Sequence, residues 1–214
     1  HRLNTRFRNS VLKLKVATNC PDWDTRVEVI GAVSEEIIAD EEFGGGKPHW
    51  EILEELGVAV GMSRARIRAA KPLETTQLAW NAWMGLMANT HWLEGLVANV
   101  IVERACTPGY GTGIAKKHGW FGVERTRWKK LFDLPEEKLT FFKLHEEADL
   151  IHSDIGWKAV TKFAKQLHME DAVIEKARQN IIVWQCYLNG IGDAGDILNR
   201  KYKRQRKTKR ARKK

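Results

Sequence analysis

The chain has 214 residues, 43% of them apolar, which is enough to bury a full core as one domain without stapling cross-links. Its net charge of +9 resembles a nucleic-acid footprint only until it is localised: eleven of the 36 Lys and Arg lie in Arg200–Lys214, leaving 25 basic against 27 acidic residues in 1–199. The three cysteines, Cys20, Cys106 and Cys186, are odd in number and widely spaced, which argues against a disulfide framework or a thiolate zinc site and favours a reducing, cytoplasmic setting.

Helical spacing dominates the pattern and strand signals are nearly absent, so the expected class is all-α. Val27, Ile30, Val33, Ile37 and Ile38 mark a first amphipathic helix. After the glycine break Gly44–Gly46, a second runs from His49 to Val60 and stops near Gly61, with Ser63 placed to cap the next. Leu78–Ala105 reads as one long buried helix ended by Thr107-Pro108-Gly109. Three Asn, a His and two Glu make that run too polar for a membrane span, and no stretch has the form of a signal peptide. Leu134-Pro135 opens another helix, and Asp171–Leu188 supplies the last, with Val173, Ala177, Ile181 and Trp184 inward. Residues 1–199 thus form a single helical domain. Residues 200–214 are a basic tail expected to be disordered, able to hold nucleic acid only non-specifically through counterion release. A chain that opens on His1 is expected to lack its native start.

The chemistry concentrates in three places. His145-x3-Asp149-x2-His152 puts three metal-competent side chains at i, i+4 and i+7, within roughly 60° of one another on a helix. The same stripe carries Phe141, Ala148, Ala159 and Phe163, so it points at a core. Buried imidazole and carboxylate need mutual hydrogen bonds, an exposed face or a bound cation. Upstream, Asp40-Glu41-Glu42 precedes the glycine break and His49 follows it. Glu103 lies late in the Leu78–Ala105 run on a stripe with Trp92, Leu96 and Val100, where a carboxylate requires a partner. Glu42, His49, Glu103, His145, Asp149 and His152 make an oxygen and nitrogen donor set suited to two divalent iron or manganese ions in a helical bundle; Glu41 rivals Glu42. His91, His118 and His168 read as structural or surface histidines.

Glu42-x6-His49, then Glu103, then His145-x3-Asp149-x2-His152, resembles the ligand pattern of the haem-oxygenase-like diiron oxidases, which share a fold with pyrroloquinoline quinone synthase and the TenA thiaminases. Asp40-Glu-Glu-Phe-Gly44 before His49-Trp-Glu-Ile-Leu53 and Glu136-Glu-Lys-Leu-Thr-Phe-Phe-Lys-Leu-His145 extend the likeness over roughly residues 25–190, and the family spacing favours Glu42 over Glu41. The resemblance implies a single bundle of about seven helices, two Fe(II) or Mn ions, and dioxygen as co-substrate. It further implies oxidation of a small amino acid or related carboxylate or amine metabolite by desaturation, carbon–carbon cleavage or N-oxygenation, in a protein that can be a homodimer. The alternatives are a metal-free TenA-like or quinone-synthase-like enzyme, or a binding protein acting through its basic tail. The segment between Glu103 and His145, with Gly109-Tyr-Gly-Thr-Gly113 and Lys116-Lys-His-Gly-Trp120-Phe-Gly122, is longer than that family's pattern and is expected to shape the pocket mouth. A substrate carboxylate needs a cation, for which Arg64, Arg66, Arg125, Arg127 and Arg178 are candidates.

Overall fold

The computed structural model of the chain describes residues 2–110 and 113–211, as backbone alone over 2–9 and 201–211. Among the described residues there are nine α-helices, one short 3₁₀ turn and no strand, an all-α bundle. They are α1 (Arg2–Asn19), α2 (Trp23–Ile37), α3 (His49–Ala59), the single-turn α4 (Arg64–Arg68), α5 (Glu74–Ala88), α6 (Trp92–Cys106), α7 (Ile114–Phe132), α8 (Thr140–Leu167) and α9 (Glu170–Ala211), with the 3₁₀ turn at Glu136–Lys138. None of these helices is long and apolar enough to cross a membrane.

Local chemistry explains most of the boundaries. Asp22 accepts hydrogen bonds from Thr25 N–H (3.0 Å) and Thr25 Oγ1 (2.7 Å), which caps α2, and Ser63 caps α4 as its position in sequence suggests. The expected single helix over Leu78–Ala105 is in fact two. α5 ends at Ala88 with Asn89 as its C-cap, and His91 caps α6 by accepting from Leu93 N–H while Glu94 accepts from His91 N–H. The apolar stripe resumes in register after the break, so hydrophobicity alone carries no trace of it.

Three other expectations change. The buried edge of α2 is Thr25, Val29 and Val33, whereas Val27, Ile30 and Ile38 are exposed. The stretch between Glu103 and His145, expected as a connection, forms α7. α9 continues as helix through residues 200–211, where the sequence leads one to expect a disordered tail; 212–214 fall outside the described residues. Lys and Arg are good helix formers, and extending an existing helix needs no new nucleus.

Two packed clusters make the core. The larger joins α1, α2, α5, α6, α9 and the second half of α8 around Leu12, Val16, Trp83, Leu93, Leu96 and Tyr187. There the Trp83 indole N–H donates to Asn180 Oδ1 (2.7 Å), and the Asn180 amide donates to the Ala98 carbonyl, so the buried polar atoms are paired. The smaller joins α3, α7 and the first half of α8 around Ile52, Leu56, Phe121, Leu139 and Phe141. α8 belongs to both, and its metal-competent triad falls where they meet.

Candidate metal centre

Each donor is placed by the end or the inward stripe of a helix. Glu35 and Glu36 lie in the last turn of α2, Asp40 just beyond it, and His49 at the first position of α3. The connection closes on itself: Asp40 N–H donates to Lys47 C=O (3.2 Å), and Gly46 N–H, at φ +76°, donates to Asp40 C=O (2.8 Å). A Cβ at Gly44 would lie 2.6 Å from the Lys47 carbonyl oxygen and 2.8 Å from Asp40 Cβ, so only glycine fits the turn. This holds Asp40 and His49 side by side, with Nε2 and Oδ2 2.8 Å apart.

Across from them, α8 contributes His145 and Asp149, both buried, and α6 contributes Glu103. His145 Nδ1 lies 2.7 Å from the Phe141 carbonyl, which can only accept, so Nδ1 carries the proton and Nε2 keeps its lone pair for a metal. The ring is held by Phe121 and Phe141, with centroids 4.6 Å and 4.5 Å away. It meets the His49 ring edge-on at 5.0 Å.

Two groups of three donors result. Glu36, His49 and His145 each offer one ligand atom with all three atoms within 4.8 Å of one another, and Glu35, Asp40 and His49 do the same. His49 is common to both. Carboxylate oxygen and imidazole nitrogen without thiolate fit divalent iron or manganese, so the donors present suit such an ion. Around them, Lys13 Nζ stands 3.0 Å from Glu103 Oε1 and 3.9 Å from Glu36 Oε1, and His152 Nε2 stands 3.3 Å from Glu35 Oε2.

The electrostatics follow the partners. Burial pushes the Asp40 carboxyl up, but hydrogen bonds from Phe43 N–H, the His49 ring and Gly44 N–H together outweigh it and leave Asp40 below its ordinary value, an anion. His152 is raised above the ordinary imidazole value, first by its hydrogen bond to Glu35, against burial, and further by the charges of Glu103 and Glu35.

Of the six residues singled out in the sequence, the structure gathers His49, Glu103, His145 and Asp149 around one cavity region and sets His152 at its edge on Glu35. Glu42 is exposed in the turn and belongs to neither donor group, as does Glu41. The two groups are completed by Glu36, Glu35 and Asp40, and Glu103, Asp149 and His152 likewise lie outside them. Asp40 was visible as part of the acidic motif; Glu35 and Glu36 were not, because their inward direction depends on where α2 ends. Lys13 gave no signal, its contact with Glu103 spanning ninety residues of chain.

A cavity of about 290 Å³ opens beside the donors, lined by Glu36, Glu103, His145 and Asp149 at one end and by apolar side chains such as Met87, Val102, Phe121 and Trp184 elsewhere. Gly119, at φ +71°, kinks α7 where a Cβ would strike the Cys106 carbonyl, and so brings Trp120 and Phe121 onto the cavity wall. The long segment after Glu103 does reach the pocket. None of the five candidate arginines lines it: Arg64 is paired with Glu54, Arg125 with Glu146 and Glu136, Arg127 with Glu124, Arg178 with Glu175, and Arg66 is exposed.

Comparison with known proteins places this geometry in context. A family model described as iron-containing redox enzyme, of haem-oxygenase-like type, matches residues 17–185, and the chain belongs to that family. No curated protein matches it significantly. The matched span runs from α1 to α9 and includes Glu36, His49, Glu103, His145 and Asp149, so the donor cluster lies within the part of the chain that defines an iron-containing oxidoreductase.

Proposed function

We propose that this iron-containing redox enzyme is a non-haem diiron, dioxygen-dependent oxidase or oxygenase acting on a small amino acid or a related carboxylate or amine metabolite. The observation that carries the reading is the pair of overlapping donor groups, Glu36–His49–His145 and Glu35–Asp40–His49, with Glu103 and Asp149 on the same cavity. One ion would use at most a few of these groups; five carboxylates and three imidazoles converging from α2, α3, α6 and α8 support two. Ferrous ions held there would supply the electrons for reduction of dioxygen.

The chain's own residues do the rest. Phe141 C=O fixes the His145 tautomer so that Nε2 faces the donors. Asp40 orients His49 through Nε2 and is itself kept ionised by Phe43 and Gly44 N–H. Trp120, Phe121, Val102 and Trp184 exclude water from the reacting region and leave room for a small organic molecule with an apolar body.

Anaerobic titration with ferrous ion, then exposure to oxygen with and without a panel of amino acids and short carboxylates, tests this. Two ferrous ions per chain and substrate-stimulated oxygen consumption are expected. Turnover of a substrate by metal-free protein under anaerobiosis would overturn the proposal in favour of a TenA-like reaction.

A further inference from the structure

The outward face of α2 is apolar. Trp23 (69% exposed), Val27 (49%), Ile30 (47%) and the C-cap residue Ile38 (68%) recur at helical spacing, with Gly31 and Ser34 between them. At about 100° per residue these six positions lie within roughly 100° of one another. They occupy the side of the helix turned away from Thr25, Val29 and Val33, which are buried in the bundle. α2 thus has two apolar faces, and its own bundle covers one. Scattered surface hydrophobics are ordinary, but four large ones in line along a single helix make a patch.

The order of residues along the stripe says what fits it, because the stripe is self-complementary about its midpoint. A two-fold axis passing between positions 30 and 31 brings an antiparallel copy of α2 against the first. Trp23 then lies opposite Ile38 of the second copy, Val27 opposite its Ser34, and Ile30 opposite its Gly31. Large side chains meet small ones at the centre, and two apolar ones meet at each end. Gly31 stands in the interior of the helix, where glycine is disfavoured more than any residue but proline, yet a Cβ there would meet nothing within 4 Å among the described residues. The hollow it leaves accepts Ile30 of the second copy. Glycine serves the bundle's own helix crossings in the same way: a Cβ at Gly95 would strike Val16, and one at Gly156 would strike Val100. The four large side chains offer on the order of 400 Å² of apolar surface per copy. A pair therefore buries about 800 Å² before flanking residues are counted, close to the roughly 1,000 Å² of a specific contact.

We propose that this chain forms a two-fold symmetric dimer through the outer face of α2, antiparallel and with Gly31 at the crossing. The contact ends on Ile38, just after the helix turn that carries Glu35 and Glu36, so the second copy braces the helix end that aims both acids at the donor groups. The interface itself stands whether or not those groups bind metal.

Sedimentation velocity on the full chain, at micromolar concentration in about 0.3 M salt to screen the basic end of α9, tests this. A dimer is expected. Gly31→Lys places a long charged side chain at the crossing while favouring the helix, and is expected to give a folded monomer with a Tm no lower than that of the unaltered chain. Trp23→Asp is expected to weaken self-association at least about tenfold. Cross-linking in a Cys186→Ser background, which removes the exposed native thiol, reads the register. On mild oxidation Ile30→Cys is expected to give a covalent dimer. Trp23→Cys alone is not, since its two copies lie about 22 Å apart along the helix axes, whereas Trp23→Cys mixed with Ile38→Cys does link. A monomeric unaltered chain overturns the proposal and leaves the face to a different protein. A dimer that Gly31→Lys leaves intact, or one in which Trp23→Cys links to itself, overturns it as well. If Trp23→Asp does not fold, Gly31→Lys and the cross-links still decide.

Discussion

Glu54 and Glu36 are both carboxylates turned away from solvent on helices at one end of the bundle, and they are stabilised by opposite means. Glu54, on α3, is fully enclosed, and its oxygens accept from Arg64 and from Arg68 Nε (2.7 Å) and Nη2 (3.0 Å). Two fixed cations face one anion, and nothing further is needed. Glu36 shares its surroundings with Glu35, Asp40, Glu103 and Asp149, against which the structure sets Lys13 and three histidines. Histidine carries charge only at the cost of a proton, so only part of the charge set against these acids is permanent. A closed ion pair is architecture; a cluster in which several acids converge on histidines is a candidate place for an exogenous cation.

The largest test of that contrast is removal of the α8 donors. His145→Ala combined with Asp149→Ala is expected to abolish ferrous uptake and iron-dependent oxygen consumption while leaving helical circular dichroism nearly unchanged; metal analysis after loading decides it. Full metal content in this variant would erase the distinction between the clusters. Next in size, Glu54→Gln should lower stability by about 2 kcal/mol in chemical denaturation, because two guanidinium groups lose an ionised acceptor, yet leave Mn²⁺ affinity as it was. A metal defect in Glu54→Gln would mean that the two acids are not independent.

The pH dependence separates them with a smaller effect. The Glu54 carboxyl is held below its ordinary value, first by the Arg68 hydrogen bond and then, against burial, by Arg64. Its contribution is present above the ordinary carboxyl range and lost as pH falls through the depressed value. His152 is raised, so its pairing with Glu35 stabilises metal-free protein fully below about pH 6.5 and is lost as pH rises through the raised value. Thermal melts of metal-free protein should therefore show a loss of stability on the alkaline side that Glu35→Gln removes, and an acid-side loss that Glu35→Gln does not touch. Smallest of all, Glu42→Gln is expected to leave metal stoichiometry and affinity unchanged, since Glu42 is exposed and lies outside both donor groups. Loss of one ion in that variant would restore Glu42 as a ligand and require the turn to rearrange.

The same contrast shows what could be seen in the sequence. His145, Asp149 and His152 share one stripe with Phe141 and Ala148 by helical periodicity, and that stripe is buried at Phe141, His145, Ala148 and Asp149 and only half-buried at His152. Glu103 was legible as a carboxylate on an apolar face. Glu36 was not, since a residue in a helix's last turn faces the core or solvent according to the turn that follows, and that turn is set by the backbone bonds of Asp40, Gly46 and Lys47. Lys13 lies on a helix outside the recognisable motifs, and a lysine there reads as a solvated charge until α6 is packed against it. The break between α5 and α6 escaped notice because its cap is a histidine, a residue seldom counted among helix starters.

The self-closing α2–α3 turn bears on the order in which the protein assembles. Asp40 and His49 are nine residues apart, a loop whose closure costs little chain entropy, whereas His145 reaches the same spot from ninety-six residues beyond His49. Half of the donor cluster is thus closed by local contacts, and the other half requires α8 to dock, so it is expected to form later. Metal is then expected to bind the finished bundle and not the folding chain. Refolding in the presence of Mn²⁺ should proceed at the rate seen without it, and the bound ion should act almost wholly by slowing the return to the unfolded state.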